Sequence, residues 1–168
     1  IITENIDDKI PLVMDLSKYI LEGGRKRIRP LLVLLTARAM GYSGKTHQKL
    51  AAILEMIHTA TLLHDDVVDN SKMRRGKASA NIVWGNEASV LVGDYLYSRA
   101  FQLMVEVENH RILEIMADTT NTLAIGEVMQ LVNRNNCSVT EELYFQTIDN
   151  KTGKLFETAA ALGGVSAN

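Results

Sequence analysis

Between its few glycines and prolines, the chain places apolar residues with a period near 3.6 and almost never with the period of two that marks a strand. Pro30-Leu31-Leu32-Val33-Leu34-Leu35 opens one such segment, which stops at Gly41-Tyr42-Ser43-Gly44; proline at the start and glycine past the end are the expected helix asymmetry. The pattern predicts a second helix over about 47–68, with Leu50, Ile53, Leu54, Ile57, Thr61 and Leu62 on a buried stripe. After the turn "NSKMRRGKAS", a third long helix is expected over about 80–107 and a fourth over about 110–132, where "NRNNCS" interrupts it. Thr140 followed by Glu141-Glu142 supplies an N-cap and an acidic first turn for a fifth helix reaching to about 162. No repeat, linker or low-complexity stretch divides the chain, so residues 1–168 read as a single all-α domain, a helical bundle.

Composition narrows the possibilities further. At 168 residues and 46% hydrophobic, the chain is long enough to bury roughly 68–70% of its unfolded surface. A net charge of −2 gives no reason to expect nucleic acid or an anionic membrane as the main partner. The lone Cys137 fits a reducing compartment, no apolar run is long enough to cross a bilayer, and "IITENIDDKIPL" lacks the form of a secretory leader. A soluble, cytoplasmic protein is the expectation. The start also lacks an initiator methionine.

Charge is unevenly spread, and the stretch "LLHDDVVDNSKMRRGKAS" concentrates it. Asp65 and Asp69 are four residues apart, so on a helix their carboxylates share a face and weaken an isolated helix by a few tenths of a kcal/mol. An oxygen-only, incomplete ligand set suits Mg²⁺, which keeps waters and shares itself with substrate phosphates. Asp66 points about 100° away from Asp65 and is expected to support or cap rather than to bind. The alternative is a solvated helix end that happens to carry three aspartates.

Two basic segments flank the acids. "GGRKRIRP" sets Lys26, Arg27 and Arg29 before a helix start, a combination of glycines, cations and free backbone N–H groups that suits a polyanion. "MRRGK" puts Arg74 and Arg75 beside any metal-bound phosphate. Acids for a metal with bases on either side suggest a ligand set containing more than one diphosphate, with acids and cations facing one shared hollow. His58, seven residues before Asp65, lies two helical turns along the same face and could donate to a phosphate; His64 turns away.

Together "GGRKRIRP", "IHTATLLHDDVVDNSKMRRGKAS", "VLVGDYLYSRAF" and "KTGKLFETAA" resemble, in order and spacing, the trans-type polyprenyl diphosphate synthases, and among them the bacterial long-chain branch. The resemblance implies the all-α isoprenoid-synthase bundle around a deep cavity, usually as a homodimer. It also implies Mg²⁺-dependent, repeated head-to-tail addition of isopentenyl diphosphate to an allylic diphosphate such as farnesyl diphosphate. Carried over by position, Asp65 and Asp69 match metal-binding carboxylates, and Lys26, Arg29, His58 and Arg75 match isopentenyl diphosphate contacts. Arg74, Lys151 and Thr152 match allylic-diphosphate contacts, while Gln130 matches a polar residue facing the cavity. Small side chains at Ala60 and Thr61, about 6–7.5 Å deeper along the helix than Asp65, imply an open cavity and a long, membrane-seeking product of the kind used for quinone side chains.

Two departures from the family pattern stand out. Arg25 replaces a third glycine, and no second Asp-rich motif follows the "KTGKLF" segment, for which Asp149 is no substitute. The chain is therefore expected to be the N-terminal half of a synthase, inactive alone. Rival expectations are an HD-type metal phosphohydrolase built on His47, His58 and His64, a terpene cyclase, and a non-catalytic subunit of a heteromeric synthase.

Overall fold

A computed structural model describes residues 2–6, 9–23 and 26–167. Helix α1 spans Pro11–Glu22, α2 Ile28–Ala39 and α3 Thr46–Val68. They are followed by a hairpin of β1 (Met73–Arg74) and β2 (Lys77–Ala78), then α4 (Ala80–Trp84), α5 (Asn86–Val105) and α6 (His110–Asn133). The described chain ends with α7 (Glu141–Ile148), a π-helical turn over Asp149–Gly153 and α8 (Lys154–Val165). No helix among the described residues is long and apolar enough to cross a membrane.

Helix α3 is the axis around which α2, α5 and α8 pack. Every residue from Leu50 to Ile57 is buried, Glu55 included, so α3 is covered on all sides over two turns rather than along the expected single stripe. Leu50, Ile53, Leu54 and Ile57 have no exposed surface, and each contributes about 1.5–3 kcal/mol of burial. Thr61 and Leu62, assigned to the same stripe, are only half-buried.

The end of α3 fixes where the acids stand. Asn70 adopts φ 49°; its N–H donates to the Val67 carbonyl (3.2 Å), and the Ser71 N–H donates to the Asp66 carbonyl (2.9 Å). This Schellman arrangement stops the helix immediately after Asp69. Three carboxylates thus crowd the negative end of a helix dipole, where cations would be the stabilising choice.

Four local expectations change. The segment 80–107 is two helices, because Gly85 at φ 89° interrupts the helical backbone between Trp84 and Asn86. The "MRRGKA" turn contains two short strands, too brief for a period of two to show; Arg75 (φ 53°) and Gly76 (φ 80°) form the two-residue loop, whose type I′ geometry needs positive φ at both positions. Helix α1, which the sequence reading leaves out, anchors this hairpin: the Tyr19 hydroxyl donates to the Ala78 carbonyl at 2.7 Å. Helix α2 begins at Ile28, placing Pro30 inside the first turn, where a missing N–H breaks no intrahelical bond.

The Thr140 cap is present, its hydroxyl oxygen accepting the Leu143 N–H at 3.2 Å. From there the chain stays helical past residue 162, although the path widens into the π turn at Asp149–Gly153. Arg25 lies outside the described residues.

Candidate functional site

The three aspartates part company at the end of α3. Asp65 faces the π turn, with a carboxylate oxygen 3.5 Å from Lys151 Nζ, and the two side chains keep only 17% and 21% of their surface exposed. Lys151 Nζ also donates to Glu127 Oε2 on α6 at 2.7 Å. Asp69, one turn further along, pairs with Arg134 at the end of α6. Asp66 turns the other way, is 1% exposed, and accepts a fork of hydrogen bonds from Arg74: Nε to Oδ2 at 2.7 Å and Nη2 to Oδ1 at 2.8 Å. The rotation between successive residues therefore sends Asp65 and Asp66 to separate tasks.

Electrostatics follow from this crowding. Burial above all, then the Glu127 charge, favours the neutral acid at Asp65; Lys151 opposes them, and the pKa settles at about 6. Burial works against the Lys151 ammonium, but the Glu127 hydrogen bond and the charges of Asp65, Glu127 and Asp69 outweigh it and hold its pKa above the usual lysine value. Two carboxylates sharing one ammonium form an acid-rich site short of positive charge.

Glu127 and Arg134 were not anticipated from the sequence. Glu127 lies one turn before Gln130 on α6, on the same face, so the i, i+3 spacing was an available signal. Arg134 gave none, since it sits in what reads as a polar turn. Gln130, Arg134, Tyr144, Ile148, Lys151 and Thr152 all line one cleft of about 540 Å³ beside α6 and α7.

A second cleft, of about 370 Å³, gathers Lys26, Arg29, His58 and Arg75, with Glu55 and Phe156 in its wall. The Arg29 guanidinium stacks 4.5 Å from the Phe156 ring centroid, and Arg29 Nη1 lies 3.2 Å from His58 Nε2. An arginine amino group can only donate, so His58 Nε2 accepts, and the ring points to Arg29 rather than to the aspartates as expected. Arg75 also borders a smaller cavity with Asp66, Arg74 and Tyr19. The four residues expected to contact isopentenyl diphosphate, three cations and a histidine, are thus brought together. The single hollow expected for acids and cations is divided, with Asp65 and Asp69 meeting Lys151 and Arg134.

Ala60 is fully buried in the apolar core rather than bordering open space, so a larger side chain there must first displace packed neighbours. Thr61 is half-buried, its hydroxyl donating to the His58 carbonyl at 2.9 Å. The three histidines do not combine: His47 is buried edge-on to Tyr42, His58 meets Arg29, and His64 lies 3.2 Å from Asp94. Among the described residues no three His, Cys, Asp or Glu side chains could hold a metal ion by themselves, which removes the basis of the phosphohydrolase reading. Asp65 and Asp69 nevertheless suit a hard divalent cation. They offer oxygen only, each already faces a cation (an ammonium and a guanidinium), and they leave positions for water or phosphate oxygens.

An all-α bundle whose central helix ends in paired carboxylates, with lysines and arginines in flanking clefts, has the isoprenoid-synthase fold. The polyprenyl synthetase profile matches residues 10–168, and the chain belongs to that family. It is 52% identical over 166 residues to the octaprenyl diphosphate synthase of Escherichia coli (strain K12), covering 99% of this chain and 51% of that protein. Over 159 residues it is 50% identical to the all-trans-nonaprenyl-diphosphate synthase (geranyl-diphosphate specific) of Rhodobacter capsulatus, covering 94% of this chain and 49% of that one. A polyprenyl synthase from Caulobacter crescentus CB15, solved with calcium and isoprenyl diphosphate, superposes with a TM-score of 0.96 at 44% identity, over 99% of this chain and 51% of its own. The chain spans about half the length of these relatives.

Proposed function

We propose that the protein containing this chain is a prenyltransferase that adds isopentenyl diphosphate units head-to-tail to an allylic diphosphate, farnesyl diphosphate foremost. The product is a long-chain all-trans polyprenyl diphosphate, destined for quinone side chains, made in the cytoplasm by a homodimer. The observation that carries this reading is the pairing of Asp65 with Lys151 at 3.5 Å on one side of α3, beside a second cleft that collects Lys26, Arg29, His58 and Arg75. One cleft suits an allylic diphosphate and the other isopentenyl diphosphate.

Asp65 and Asp69 would hold Mg²⁺, with Glu127 alongside; when bound, the ion offsets the charge that the diphosphate gains as its carbon–oxygen bond breaks. Lys151 and Thr152 bind the allylic diphosphate and stabilise its developing charge. Arg74 spends two of its donors on Asp66, so Nη1 is the group it can turn to a phosphate oxygen. Lys26, Arg29, His58 and Arg75 fix isopentenyl diphosphate, which converts a bimolecular encounter into an oriented one. The allylic cation meets the isopentenyl double bond, a new carbon–carbon bond forms, and a proton leaves to the departing diphosphate. Apolar side chains keep water from the cation.

The test is incubation of the full-length protein with farnesyl diphosphate, radiolabelled isopentenyl diphosphate and Mg²⁺. Butanol-extractable products longer than farnesyl, lost with EDTA, are expected. Hydrolysis of either substrate without chain growth would overturn the reading.

A further inference from the structure

We infer that Arg134 is a substrate-positioning residue that clasps Asp69 until a divalent ion arrives, then turns its guanidinium onto a phosphate oxygen of the diphosphate. The inference rests on the proposed function and deepens it by adding a residue to the diphosphate cleft. Arg134 caps the C-terminus of α6 and Asp69 caps that of α3, so their contact joins two segments 65 residues apart at the end of the acid cluster. It gives the second of the two aspartates a cation of its own, Arg134 on Asp69, beside the Lys151 that Asp65 shares with Glu127. The two contacts differ in burial: Lys151 and Asp65 are 21% and 17% exposed, whereas Arg134 and Asp69 are 42% and 37% exposed.

An ion pair that open to water adds little to stability, so its function is not to hold the fold together. A guanidinium released from Asp69 stays at the wall of the cleft it lines with Lys151, Thr152 and Gln130. Its planar fork suits the two oxygens of a phosphate better than the single carboxylate oxygen it now meets.

Calorimetry on the full-length protein separates this role from simple support, because the two ligands should respond with opposite sign. In Arg134→Ala, Mg²⁺ alone is expected to bind about threefold more tightly, since a competing cation has gone. Inorganic pyrophosphate, titrated at saturating Mg²⁺, is expected to bind about tenfold more weakly, the loss of one charge-assisted contact. Arg134→Lys should restore the competition with Mg²⁺ but not the pyrophosphate affinity. Unchanged pyrophosphate binding in Arg134→Ala, or weakening of both ligands together, would overturn the inference while leaving the proposed function intact. If the unsubstituted protein binds neither Mg²⁺ nor pyrophosphate, the functional reading fails and takes this assignment with it.

Discussion

Asp65 and Asp66 are neighbours in sequence and opposites in role, and their chemistry can be separated by experiment. The folded state holds the Asp65 proton more tightly than the unfolded chain does, about 6 against 3.8. A raised carboxyl pKa means that ionisation opposes folding, so the Asp65 contribution to stability is present at low pH and declines as pH rises from about 4 to about 6. A divalent ion favours the ionised form, so MgCl₂ should raise the melting temperature above pH 6 and leave it unchanged at pH 4. Asp65→Asn should abolish both the decline and the Mg²⁺ response; melting curves across pH, with and without MgCl₂, would show whether it does. Asp66 is a different case, a buried carboxylate whose charge Arg74 satisfies with two hydrogen bonds. Arg74→Ala would strand that charge and cost about 3–5 kcal/mol, measurable as a lower urea midpoint. A variant that loses allylic-diphosphate affinity at unchanged stability would instead place Arg74 wholly in substrate binding.

At the level of elements, the site depends on a local breach of helix regularity. The π turn at Asp149–Gly153 carries Lys151 toward Asp65, and Gly126 on α6 makes room for it: a Cβ at Gly126 would stand 2.8 Å from the Lys151 backbone nitrogen and 3.0 Å from the Asn150 carbonyl carbon. Gly126→Ala should push the turn away, destabilise the chain by about 1–3 kcal/mol and weaken pyrophosphate binding in parallel, read by denaturant titration and calorimetry. Wild-type behaviour in both would mean that the turn tolerates the displacement. Along α3, Thr61 sits one turn before Asp65 and is half-buried, while Ala60 is sealed in the core. Thr61→Tyr is therefore the informative test of product length, expected to give shorter polyprenyl chains by thin-layer analysis, whereas Ala60→Phe would first disturb packing. The periodic elements were legible because α3, α6 and the helix after Thr140 repeat apolar residues near the 3.6 period, and Thr140 supplies an ordinary N-cap. Gly85 was misjudged because one glycine inside an apolar run does not announce a positive φ. The π turn was invisible because the space that admits it, the missing side chain at Gly126, lies 25 residues before Lys151. Glu127, Arg134 and Phe156 reach the site from α6 and α8, and no spacing within the acid or basic motifs points to them.

Over the whole molecule, α3 presents Asp65 and His58 to different neighbours. Asp65 looks toward α6 and the π turn, while His58 looks toward the start of α2. The two clefts they serve have no lining residue in common, and α3 is buried on every side between Leu50 and Ile57. If each cleft takes one diphosphate, substitutions in them should act independently, because sites without shared partners add to within about 0.3–0.5 kcal/mol. Arg29→Ala is expected to raise the KM for isopentenyl diphosphate about tenfold and leave that for farnesyl diphosphate unchanged, through loss of a charged contact. Thr152→Ala should raise only the farnesyl diphosphate KM, by a few-fold, as befits a neutral hydroxyl. In the double variant the two increases should multiply without interaction in each KM. Steady-state kinetics on the full-length protein decide the matter. A double variant much worse than the product would mean that the two diphosphates meet in one continuous cavity, as the sequence alone suggested, and that the wall provided by α3 opens when substrates bind.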